Sequence, residues 1–288
     1  MFEKILFPTD FSEPAKTELN CITSIPGIRE IVLLHVVRQS VIRGEVAMVE
    51  NLAVHAAEVY LQKAKTYIAT LNPDIRVRLD ETTSTDIPEA ILEKAEEHGV
   101  DLIVIHANIK STITGIFLNR VPSTVLCRIS KINVMIMPDK LVGTLTGKTF
   151  EKFCPMIFSR ILCPINFSEF SMKVAALAGT LKGVGEIILL HVVQKGEGVD
   201  DPEAVTPVEF QIKTICNNLT AQGIKARTIV MAGKPETDIP WVAQEEDVSL
   251  VWMRSAAQGC LHDFFFGSLV HDVVMNSTRP VIVIRSYE

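Results

Sequence analysis

The chain says nearly the same thing twice, and this limits what it can fold into. KILFPTDFSE (4–13) returns as RILCPINFSE (160–169), and IVLLHVV (31–37) returns as IILLHVV (187–193), both at an offset of 156 residues. Farther on, DLIVIHA (101–107) aligns with SLVWMRS (249–255) and NRVPSTVL (119–126) with GSLVHDVV (267–274), both at an offset of 148. The second copy is therefore eight residues shorter in its middle. A tandem duplication of a unit of about 140 residues must build two like domains. They are expected at 1–140 and 157–288, with 141–156 as the linker.

Each copy alternates strand and helix. ILFP (5–8) is a short apolar run stopped by Pro8 and reads as a buried strand. Ser12 suits a helix cap and Pro14 the first turn after it. IVLLHVV is a continuous, β-branched run, as expected for a strand covered on both faces. Residues 45–71 carry apolar side chains at helical spacing, RVRL (76–79) reads as a third strand, and Asp86, Pro88 and Glu89 open a helix that Gly99 closes. DLIVI is the fourth strand, a short helix is expected at 121–129, and VMIM (134–137) is the fifth strand. Strands that alternate with helices in this way give an α/β fold with an open, doubly wound parallel sheet. In such a sheet, ligands sit beyond the carboxyl ends of the strands, where strand order reverses.

Composition narrows the partners. The 288 residues are 48% hydrophobic, enough for sizeable cores, and the net charge of −6 gives no general basis for holding nucleic acid or an anionic membrane. The apolar runs fall far short of the ~18 residues of a membrane span, and the first residues lack a signal-peptide core. A soluble, cytoplasmic protein is expected, with neither nucleic acid nor membrane as partner. The six cysteines form no CxxC pair and no zinc-finger spacing with histidine, so no metal site is expected, and a disulfide framework would be out of place. GTLTGKT (143–149) is one residue short of a P-loop and lies at the join between the copies, not between a strand and a helix. Linker composition accounts for it.

At the strand ends the chain resembles the universal stress protein family, in its tandem two-domain form. PTDFSE, LLHVV, DLIVI, GSLVHDVV and RPVIVIR carry the resemblance, which spans both copies. It implies two Rossmann-like, five-stranded domains joined as a pseudo-dimer through their last strands, with a homodimer of such chains also compatible. It further implies binding of ATP or AMP in those members that keep a loop of form G-x-x-G-x9-G-[ST] after the fourth strand. Glycines there let backbone N–H groups approach phosphate, and the last Gly-Ser opens a helix whose N-terminus favours an anion.

That loop is altered in both copies. Its glycine positions fall on His106, Ile109 and Asn119 in copy one, followed by Arg120, and on Arg254, Ala257 and Gly267 in copy two, followed by Ser268. The acid that the family places after the first strand is Asp10 in copy one and Asn166 in copy two. Asp10 reads equally as a turn residue and as an acceptor for an adenine amino group or ribose hydroxyl. Asn166 keeps an acceptor oxygen. Arg254 and Arg120 either obstruct a site built for glycine or meet a phosphate. His35 and His191 read as packed histidines bonded to backbone.

The nucleotide-binding residues implied are Pro8, Thr9, Asp10, Val36, His106, Asn119 and Arg120 in copy one. In copy two they are Pro164, Ile165, Asn166, Val192, Met253, Arg254, Ala257, Gly267, Ser268 and Leu269. Copy two is expected to be the better phosphate site and copy one the better base site. No catalytic set emerges from spacing. The expected function is a nucleotide-responsive regulatory module in the stress response. The alternatives are a nucleotide-free interaction scaffold and a weak ATPase.

Overall fold

The computed structural model describes residues 1–39, 46–107, 120–128, 131–138, 156–194, 202–254 and 269–285. The expected linker, apart from Met156, and the GTLTGKT stretch lie outside them. In the first copy, strands β1 (Lys4–Pro8), β2 (Glu30–Arg38), β3 (Arg76–Ser84), β4 (Leu102–Ala107) and β5 (Asn133–Pro138) alternate with helices α1 (Glu13–Ile22), α2 (Val46–Leu71), α3 (Ile87–His98) and α4 (Arg120–Arg128). In the second, β6 (Arg160–Pro164), β7 (Glu186–Gln194), β8 (Ala226–Gly233), β9 (Leu250–Arg254) and β10 (Val281–Ile284) alternate with α5 (Glu169–Ala178), α6 (Pro202–Ala221), α7 (Pro235–Glu245) and α8 (Leu269–Asn276).

The helix ends follow local chemistry. Ser12 and Ser168 cap α1 and α5 through their side chains. Asp86 caps α3 by accepting from the Glu89 amide, and Gly99 ends that helix in the left-handed region at φ 58. The third strand runs to Ser84, five residues beyond the apolar stretch that marks it in the sequence. Its partner β2 keeps it in register from Glu30 opposite Arg76 to Arg38 opposite Ser84, so the ladder extends past where the side chains advertise a strand.

All ten strands belong to one sheet, in the order β3-β2-β1-β4-β5-β10-β9-β6-β7-β8. Pairing within each half is parallel. The halves meet where β5 and β10 run antiparallel, with Val134 opposite Val283, Met135 opposite Ile282 and Ile136 opposite Val281. The pseudo-dimer is thus a continuous sheet. Asn133 adds a polar tie across the join, its Oδ1 accepting from the Arg285 amide at 2.8 Å.

Each face of this sheet carries one apolar layer spanning both halves. α1, α2, α5 and α6 cover one face, where Phe2 of the first half packs on the fully buried Trp252 of the second. α3, α4, α7 and α8 cover the other. The Trp252 indole N–H donates to the Val174 carbonyl at 2.8 Å, satisfying its one polar atom. One expectation fails here. Cys21, buried in α1, is disulfide-bonded, whereas Cys127, Cys163 and Cys216 are outside any disulfide.

At the amino ends of the strands, away from the crevices where ligands bind in this architecture, the halves repeat a charge cluster. Glu30 meets Lys4, Arg76 and Arg78 at 3.2, 3.6 and 2.7 Å. Its counterpart Glu186 meets Arg160, Lys225 and Arg227 at 3.0, 3.1 and 3.4 Å, with its side chain only 8% exposed. Burial alone would raise the Glu186 pKa, but Lys225, Arg227 and Arg160 together hold it below the usual carboxylate value. Such a group stabilises the fold above its unfolded pKa of about 4.3, and this contribution fades as pH falls through the lower folded value. Glu186→Gln is expected to lose about 1–3 kcal/mol at pH 7. In urea unfolding at a series of pH values, the gap from the parent chain should close below about pH 4.

Candidate functional site

Strand order reverses between β1 and β4 in the first half and between β6 and β9 in the second, so a crevice is expected at each of those carboxyl ends. The chain leaves β1 and β6 through the same turn. The Thr9 amide donates to Leu34 O and the Ile165 amide to Leu190 O, both at 2.8 Å, extending the ladder by one residue. The next residue but one, Phe11 or Phe167, has φ 62 or 58, a left-handed conformation unusual for an aromatic residue. What holds it there is visible in both halves. His35 donates through Nδ1 to Thr9 O, and His191 to Ile165 O, both at 2.8 Å. A carbonyl only accepts, so Nδ1 carries the ring proton in each case. The Phe11 ring then stacks on His35 at 4.4 Å and on Tyr60 at 5.1 Å, and Phe167 lies 4.6 Å from His191. The two histidines are packed and backbone-bonded, as LLHVV suggests.

This turn sets the orientation of the polar residue before each phenylalanine. Asp10 is exposed, and one of its oxygens accepts from the Ser12 amide at 3.0 Å. Its other oxygen has no hydrogen-bond donor among the described residues. Asn166 is also exposed, but its Oδ1 accepts twice from Ser168, from the amide at 3.2 Å and from the hydroxyl at 2.7 Å. The acceptor oxygen expected to remain available in the second half is thus already engaged by Ser168, and the amide N–H2 has no acceptor among the described residues. The turn reading of Asp10 is correct as local structure, and Asn166 makes the like turn with opposite hydrogen-bonding character.

The far walls differ more. In the first half His106, the last residue but one of β4, turns inward, donating from Nδ1 to Oε1 of Glu18 at 2.5 Å. The Glu18 side chain is fully buried and that of His106 is 13% exposed. In the second half, the aligned positions are Arg254 and Val174. Val174 is apolar and buried. The Arg254 guanidinium lies 3.9 Å over the ring of Phe170, in the first turn of α5. No described carboxylate pairs with it.

Of the other residues implied by the sequence, Pro8 and Pro164 end β1 and β6, and Val36 and Val192 lie in β2 and β7 one residue after the turn-holding histidines. Met253 is buried in β9, and Leu269 opens α8 with its side chain partly exposed. Arg120 begins α4. Asn119, Ala257, Gly267 and Ser268 lie outside the described residues. The sequence reading missed Glu18, Tyr60, Phe170 and the left-handed phenylalanines. Glu18 left a signal, because Ala15, Glu18, Leu19 and Ile22 share the spacing of one helix face, so a carboxylate sits on an otherwise buried stripe.

Two other features involve β3. A cavity of about 790 Å³ opens between α2 and the edge strand β3, lined in part by Glu58, Lys63, Leu79 and Glu81. Burial and the neighbouring Glu58 push the Glu81 pKa up. Asp80, Glu97 and His98 bring potential metal-ligating atoms within 4.8 Å of one another. Lys94 Nζ, however, lies 3.2 Å from Asp80 and 2.9 Å from Glu97 and already supplies a cation there. Among the described residues no helix is long and apolar enough to cross a membrane.

The Glu18–His106 pair makes a testable energetic claim. His106→Ala takes from the buried Glu18 carboxyl the imidazole it meets at 2.5 Å and is expected to cost about 3 kcal/mol. Glu18→Val should cost less, since an imidazole can shed its charge. The double variant should fall short of the sum by about 1 kcal/mol or more in urea unfolding.

Comparison with known proteins agrees with this geometry. The model of the universal stress protein family matches residues 1–138 and again residues 158–285. The universal stress protein MJ0577 of Methanocaldococcus jannaschii is 27% identical over 157 residues, covering 45% of this chain and 96% of its own length. The universal stress protein YxiE of Bacillus subtilis is 29% identical over 150 residues, covering 45% of this chain and 100% of its own length. Among solved structures, a universal stress protein from Archaeoglobus fulgidus superposes with a TM-score of 0.74 at 21% identity, covering 98% of this chain and 96% of that one. At that identity the last likeness speaks for the fold.

Proposed function

This chain belongs to the universal stress protein family, and from that premise we propose that it is a nucleotide-responsive regulatory module of the stress response, binding adenine nucleotide at the carboxyl ends of its strands. The observation that carries the reading is the turn after β1 and β6. A strained left-handed phenylalanine, locked by a histidine–carbonyl bond, holds one exposed polar side chain at each switch point. Backbone strain of about 1–3 kcal/mol persists where the surroundings over-determine it, and such strain clusters at ligand clamps. ATP and AMP are the ligands the family resemblance implies. Nucleotide binding would alter the surface offered to a protein partner, and no chemical step is assigned to it.

A nucleotide-free scaffold is the second reading, favoured by the ring of His106 standing where nucleotide-binding relatives have a glycine. Thermal unfolding with ATP, ADP and AMP separates the two. A ligand at a hundred times its Kd adds about 2.7 kcal/mol, which should raise Tm by about 4–5 °C in a chain of this size. Calorimetric titration should show matching heat. No shift and no heat at millimolar nucleotide would leave the scaffold reading standing.

A further inference from the structure

We propose that the cavity between α2 and β3 is a binding site for a linear aliphatic amine, its ammonium on Glu81 and its hydrocarbon stem on Val59 and Leu79. None of the lining residues is among those that the nucleotide reading uses. What marks the site is a carboxylate that the fold does not need.

The repeat supplies the comparison. In the register of the sheet, Glu81 stands opposite His35, and Val230 stands opposite His191. Those histidines are the same position of the duplicated unit, so Glu81 and Val230 correspond. Val230 packs against the apolar layer of its face. A short apolar side chain therefore satisfies this place in the architecture, and the first half carries a carboxyl there instead. Neither oxygen of Glu81 has a hydrogen-bond or ion-pair partner among the described residues, and Oε1 is wholly buried. An acceptor in that state costs stability and calls for an explanation. Burial, and then the like charge of Glu58 on the same cavity wall, push the Glu81 pKa up. Lys63 is the only cation among the described lining residues. Its Nζ lies 5.5 Å over the Tyr60 ring and pairs with neither glutamate.

The rest of the cavity suits a hydrocarbon chain. Leu79 lies two residues before Glu81 and so on the same face of β3. It is 36% exposed and Val59 of α2 is 44% exposed, so helix and strand leave apolar surface uncovered between them. The volume of about 790 Å³ falls in the range of small-molecule sites. The third carboxylate of the wall, Asp80, is engaged by Lys94 and His98, which leaves Glu81 as the group to receive a cation. An ammonium on a flexible stem supplies a compact charge with three donors. Anions, phosphate included, are repelled by Glu58 and Glu81.

Isothermal titration of the full chain with n-hexylamine tests this, with n-hexanoate as the anion of equal length. Hexylamine is expected to bind and hexanoate to give no heat. Shortening the amine to n-propylamine should raise its Kd at least about tenfold, through lost burial of methylenes. Glu81→Gln should raise the hexylamine Kd at least about tenfold. Glu81→Val, which copies the second half, should do the same and also raise Tm without ligand, because an orphaned carboxyl gives way to an apolar group. Far-ultraviolet circular dichroism confirms that both variants are folded. No heat with hexylamine at millimolar concentration, equal binding of hexanoate, or a Glu81→Gln Kd within about twofold of the parent would each overturn the inference. Each of these outcomes would leave the nucleotide reading untouched.

Discussion

The antiparallel pairing of β5 with β10 is the constraint on which the rest of the structure depends. Both strands are buried along their whole length, so neither could stand as a solvent-facing edge. An unpaired apolar edge exposes a row of backbone donors and acceptors and invites association. The duplication answers this within one molecule, since each half supplies the other's missing neighbour. Every apolar layer then runs unbroken across the join, and side chains such as Phe2 and Trp252 pack between halves.

With the two halves fixed edge to edge, the ends of their strands have had different fates. At the amino ends the chemistry is repeated, one glutamate with little exposure amid three cations in each half. At the carboxyl ends the turn is repeated but the residues facing it are not. The left-handed phenylalanine, its histidine and the bonded carbonyl are common to both halves. The wall opposite is a buried glutamate bonded to a histidine in one half and an arginine stacked on phenylalanine in the other. A scaffold that holds the turn by backbone bonds is free to vary the wall, because the turn does not depend on it. This is how a duplicated fold can keep its architecture while its two sites diverge.

Much of the fold was legible in the residues. ILFP, LLHVV, DLIVI and VMIM each became strands, and Asp86 and Gly99 bounded a helix as their side chains require. The tail of β3, residues 80–84, was not legible, because polar side chains there are carried by a neighbouring strand and not by their own pattern. The disulfide at Cys21 was not legible either, because spacing along the chain does not report distance in space. At the site, the positions of Asp10, Asn166, His106 and Arg254 could be read by aligning the copies. Their states could not. Nothing in DFS and NFS tells that one oxygen of Asp10 is left over while that of Asn166 is consumed, since this depends on where the Ser12 and Ser168 groups point.

The sequence by itself determined that there would be two like α/β units, which residues would form their strands, and which positions would flank the switch points. It could do so because periodicity, capping and repetition are local properties written along the chain. Only the tertiary structure decided that Glu18 and His106 meet, 88 residues apart, in the interior of the first half, and that Arg254 lies over Phe170 with no described carboxylate beside it. Those contacts join elements whose approach is set by the packing of helices on the sheet, and electrostatic character at a crevice is the sum over whatever that packing brings together.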